Sequence, residues 1–120
     1  MVDQQILKLF EEVLSKTRAG KIAWHPTAEE STFMAAIGGQ FTLSVSAWTE
    51  PASPTAEADV PVHRYALVLE DQTGSELARI TESDEGIHAA DLRELYEAAR
   101  RRAVRADEKI GDVLEVLSRL

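Results

Sequence analysis

Three histidines, a cluster of acids and a run of arginines are the side chains in this sequence with chemistry to offer. His25, His63 and His88, joined by Asp84 or Glu85, are the types that a zinc or hydrolase site gathers. Their spacing follows neither H-x-x-x-H nor H-E-x-x-H, and each falls at a strand end or a helix start, where a solvated imidazole is ordinary. Glu82, Asp84 and Glu85 could offer oxygens to a divalent cation, but an EF-hand loop needs ligands at regular offsets and a terminal Glu. The expectation is instead that these acids favour the positive end of the helix that follows. Gly38-Gly39 has no G-x-G-x-x-G context and no following lysine, so a hairpin turn explains it better than a phosphate cradle. With no cysteine there is no thiol nucleophile and no disulfide framework. No residue is expected to be catalytic, to bind a cofactor or to ligate a metal, and no cofactor is expected.

Partner binding has more to work with. Five of the 13 basic residues, Arg93, Arg100, Arg101, Arg102 and Arg105, concentrate on one helical stretch. Such a patch suits an acidic partner or a phosphate. Glu97 is spaced to pair with Arg100 and Arg101, so a self-paired solvated face is the ordinary alternative. Trp48 falls on the polar parity of its strand, with Thr42, Ser44 and Ser46. An outward tryptophan at a strand end suits an interface. The alternatives are that the next loop folds over it or that a bulge shifts its parity. Trp48, Arg93, Arg100, Arg101 and Arg105 are therefore the candidate partner-binding residues.

The elements that would position these groups follow from apolar periodicity. Ile6, Leu9, Phe10, Val13, Leu14 and Thr17 form one stripe of a helix over residues 2–19, which Gly20 ends. Ile22 and Trp24 share a face of a short extended piece that Pro26 is expected to stop. Phe33, Ala35 and Ile37 alternate, as do Phe41, Leu43, Val45 and Ala47. The glycine pair between them predicts a hairpin with a primed turn. Residues 49–61 hold three prolines and no apolar period, and predict a mobile loop. Tyr65, Leu67 and Leu69 mark a third strand. A turn with Gly74 leads to a fourth, carrying Leu77, Ala78 and Ile80. From about Ile87 the stripe Leu92, Leu95, Tyr96, Ala99, Ala103, Ile110, Val113, Leu114 and Leu117 runs to the C-terminus. The period passes through residues 105–107 almost in phase, leaving open one long helix or two, the second capped by Asp107.

Helix, strands, helix is the order of an α+β fold: an N-terminal helix, a four-stranded antiparallel meander of two hairpins, and C-terminal helix packed on one sheet face. The 120 residues make one domain, 1–120. The net charge of −8 argues against nucleic-acid binding. No stretch approaches the ~20 apolar residues of a membrane span, and the N-terminus lacks the features of a signal peptide, so a cytoplasmic protein without membrane contact is expected.

Lys16-Thr17-Arg18-Ala19-Gly20-Lys21-Ile22-Ala23-Trp24 resembles the K-T-x-x-G-K-I-x-W opening of a small bacterial domain of unknown function. The F…GG hairpin (33–39), the Y-x-L-x-x-x-D-x-x-G hairpin (65–74) and the L-Y-E-x-A-R-R helix (95–101) extend the resemblance over most of the chain. It implies this fold and a bacterial source, and brings no activity. The expected function is a non-enzymatic protein-interaction module, a homodimer or an adaptor for a protein partner. The rivals are a secretion- or toxin-type chaperone, and a small ligand binder or enzyme using His25, His63 and Tyr65 on the open sheet face.

Overall fold

The computed structural model describes residues 3–50 and 62–120. Helix α1 (Gln4–Arg18) opens at Asp3, whose carboxylate accepts from the backbone N–H groups of Gln5 and Ile6 at 3.0 and 3.2 Å. It closes on a left-handed Gly20, φ 71°. There Lys21 N–H reaches the Lys16 carbonyl at 2.9 Å and Gly20 N–H reaches that of Thr17 at 3.0 Å, the paired bonds of a Schellman motif. The buried face is Phe10, Val13, Leu14 and Thr17.

Five strands follow, β1 (His25–Pro26), β2 (Thr32–Ile37), β3 (Phe41–Glu50), β4 (Val62–Asp71) and β5 (Glu76–Thr81). They lie in the sheet in chain order, every neighbour antiparallel. The expected meander is present with one strand more. Proline does not stop the chain here. Pro26 pairs with Phe33 on a two-residue edge strand, where its missing donor costs no ladder bond. Gly38 and Gly39, at φ 62° and 75°, make the primed turn between β2 and β3. The connection expected at 49–61 begins later, because Thr49 and Glu50 pair with His63 and Val62 in the sheet. The rest of that expected loop, 51–61, lies outside the described residues.

Period two sorts the side chains. Phe33, Ala35, Leu43, Val45, Leu67 and Ile80 form the inner face and join the core. A bulge between Leu69 and Glu70 takes β5 out of register, and Leu77, at the irregularity, is 53% exposed.

Helix α2 (Ala89–Ala103) crosses the inner face, burying Leu92, Leu95, Ala99 and Ala103. Arg18 of α1 donates to Glu94 of α2 through Nε and through Nη2, the latter at 2.8 Å, and this holds the Glu94 carboxyl below its ordinary range. Trp24 closes the core beneath α1, its indole N–H donating to the buried Thr17 hydroxyl at 3.1 Å.

The C-terminal helix is two pieces. Val104 and Arg105 separate α2 from α3 (Ala106–Ser118), and Arg105, at φ 53° and ψ 45°, occupies the N-cap position that the sequence suggested for Asp107. Only α2 packs on the sheet. The apolar stripe of α3 is bare, with Ile110, Val113, Leu114, Val116 and Leu117 each 51–61% exposed and Leu120 93% exposed. Among the described residues no helix is long and apolar enough to cross a membrane.

Candidate docking surface

Helix α2 divides its side chains by angle. Leu92, Leu95 and Ala99 point into the core, and the next row round the helix, Arg93, Tyr96, Glu97, Arg100 and Val104, borders two hollows. The first, of about 820 Å³, lies between the start of α2 and the far ends of β3 and β4. Tyr65, Tyr96, His63, Arg93 and Glu97 line it. The second, of about 570 Å³, lies between the end of α2 and the connection from Pro26 to Ser31, with Phe33, Tyr96, Arg100 and Val104. Both reach Tyr96 and Ser31, so together they make one groove along α2. Its floor is aromatic. The Tyr96 ring stands 5.6 Å from Phe33 and 5.4 Å from Tyr65, each tilted by 48°, and such pairs add about 0.5–1.5 kcal/mol beyond burial. The Phe33 ring comes from the core parity of β2 and the Tyr65 ring from that of β4, which is why they meet beneath one helix.

The arginines expected to act together are parted by the helix. Arg93 and Arg100 border the groove, while Arg101, Arg102 and Arg105 line a separate hollow of about 460 Å³ beside Trp24, His25 and Pro26. Among the described residues Arg93 and Arg100 have no ion-pair partner. The pairing expected between Glu97 and Arg100 is not formed.

Trp48 keeps its outward parity, since β3 and β4 pair without a bulge and place it opposite Arg64. It is 40% exposed, and its indole N–H donates to Glu50 at 3.3 Å. Glu50 also accepts from Arg64, which pairs with Glu82 as well. The two carboxylates raise the affinity of Arg64 for its proton, the Glu82 hydrogen bond contributing most. Trp48 is thus tied to an ion-pair network on the outer face, and its strand segment forms the rim of the first hollow.

The residues with catalytic potential do not converge. His63 and Tyr65 share the first hollow, His25 lines the separate one, and His88 is the N-cap residue of α2. Among the described residues no three His, Asp or Glu are grouped to hold a metal ion. Two of the acids at 82–85 have partners in or beside the turn that leads to α2. The Asp84 carboxylate accepts from Thr81 N–H at 2.7 Å and closes the turn after β5, while Glu82 is committed to Arg64.

Two features escaped the sequence reading. Tyr96 counted there as core, because it follows Leu92 and Leu95 in the stripe, and only the fold shows its ring half-buried as the floor of a groove. The bareness of α3 was likewise hidden: the period leaves a break at 105–107 open, but a stripe continuing that of α2 in phase is expected to pack on the sheet with it.

Comparison with known proteins brings no match, whether to a family model, a curated protein or a solved structure.

Proposed function

We propose that the chain is a non-enzymatic protein-interaction module that works as a homodimer. The observation behind this reading is the uncovered face of α3. Five aliphatic side chains, from Ile110 to Leu117, stand on one side of a 13-residue helix, and Leu120 follows just past its end; among the described residues α2, at their shared joint, is the helix's only substantial neighbour. Glu108, Asp112 and Glu115 occupy the opposite side.

The magnitudes favour pairing. Completing the burial of an aliphatic side chain that is already about half covered gains roughly 1 kcal/mol, half of its full transfer value. Five such side chains, Ile110 to Leu117, from each of two copies bring about 10 kcal/mol, the order of the association cost of ~4–15 kcal/mol. An apolar face of this kind is also larger than the scattered surface hydrophobes of a typical monomer.

Size-exclusion chromatography with light scattering tests the reading. The wild-type chain should run as a two-chain species, and Val113→Glu/Leu117→Glu should run as a folded monomer with unchanged far-ultraviolet circular dichroism. A wild-type chain that is monomeric at every concentration up to the millimolar range overturns the homodimer.

A further inference from the structure

Resting on that reading, we infer that α3 of each copy lies in the groove along α2 of the other, a reciprocal exchange, and does not simply pair with its counterpart α3. The first reason is the width of the stripe. In heptad terms, with Ile110 at a, Leu117 repeats a, and Val113 and Leu120 fall at d. Leu114 and Val116 add positions e and g. A helix lying beside one other helix covers the a and d seam and leaves e and g at the margin. A stripe this wide is suited to a surface with a floor and two walls.

The groove has that form. The Phe33, Tyr65 and Tyr96 rings make the floor, α2 makes one wall, and the connection from Pro26 to Ser31 makes part of the other. The lengths agree. Arg93 to Val104 on α2 spans about 17 Å at 1.5 Å per residue, and Ile110 to Leu120 spans about 15 Å.

The charges are compatible at the margin of the stripe. Lys109, at position g beside Val116, borders the aliphatic side chains, and Glu29 and Glu30 stand on the wall formed by the connection from Pro26 to Ser31. Glu108, Asp112 and Glu115, on the side away from the stripe, stay exposed to water when the stripe lies in the groove. In trans the arrangement needs no refolding of the joint, because α3 already stands clear of its own groove.

Cross-linking decides the matter cleanly because the chain has no cysteine of its own. Glu97→Cys marks the middle of the groove wall and Leu114→Cys the middle of the stripe. Treated with a short bis-maleimide, an equimolar mixture of the two single variants should give a covalent heterodimer, and neither variant alone should give a covalent dimer. Cross-linking of Leu114→Cys with itself, and not with Glu97→Cys, overturns the exchange but leaves the homodimer standing. An internal cross-link in the Glu97→Cys/Leu114→Cys double variant, with none between chains, means that α3 folds back within its own chain and overturns both.

Discussion

Helices α1 and α3 are near equals in sequence and opposites in the fold. Each carries one aliphatic stripe at three- and four-residue spacing, over 15 residues in α1 and 13 in α3. The α1 stripe seals the core, with Phe10, Val13 and Leu14 at 4–6% exposure, while every side chain of the α3 stripe is more than half exposed. Amphipathicity states that a face needs cover without stating what covers it. What separates the two is the link to the sheet. After α1 the chain turns on Gly20 and brings Ile22 and Trp24 into the core, which fixes the helix against the strands. After α2 it passes through Val104 and Arg105 and leaves the sheet behind.

Truncation of each stripe tests the contrast most strongly. Phe10→Ala should lower the unfolding free energy by about 3–5 kcal/mol, the usual cost of deleting a buried aromatic. Leu117→Ala, measured by urea denaturation at concentrations too dilute for pairing, should fall within about 0.5 kcal/mol of wild type. A large loss from Leu117→Ala in the dilute monomer would mean that α3 belongs to the core of its own chain, and the contrast would collapse.

The anchoring of α1 can be probed on a smaller scale. Thr17→Val keeps the shape of the side chain but removes the acceptor of the Trp24 indole, leaving a buried donor unpaired. A loss of about 1–3 kcal/mol is expected in the same denaturation experiment. Quenched or red-shifted tryptophan emission would accompany it if water enters the gap. No change at all would detach the hydrogen bond from the anchoring.

The smallest expected effect is on acidification. Glu94 is held below its ordinary range chiefly by the Arg18 hydrogen bond. Asp71 is held low chiefly by the Thr73 hydroxyl and then by Ser75 N–H in the β4–β5 turn. A depressed folded-state pKa gives stability that is fully present above the ordinary carboxylate range and is lost as pH falls through the depressed values. Both groups are solvent-exposed, so the decline should be shallow. Glu94→Gln should flatten the part that belongs to the α1–α2 tie and leave that of Asp71. A pH profile untouched by Glu94→Gln would show that the tie contributes nothing to holding α1.

Much of this architecture is readable from residue order. Alternation in Phe41 to Ala47 sets which side of β3 faces inward, and the glycine pair at 38–39 sets its register with β2, so Trp48 could be placed outward before any coordinates. The small edge strand was not readable. Proline argues against a strand in general, and only its place on the sheet margin makes Pro26 tolerable. The docking groove was half readable. Arg93 and Arg100, seven residues apart, share a helix face by arithmetic, but the meeting of Phe33, Tyr65 and Tyr96 depends on three elements distant in sequence. Period alone leaves one helix or two open at Arg105 because a bend of one residue leaves the repeat of apolar positions intact on either side.

That bend has a mechanical consequence. A single non-glycine residue in the left-handed basin, at a cost of about 1–2 kcal/mol, sets the heading of everything after it. With about 20 Å of helix beyond the pivot, a swing of about ten degrees at Arg105 moves the far tip by roughly 3.5 Å. The backbone at this one position thus works as the steering joint of a lever, and the reach of α3 is geared to it.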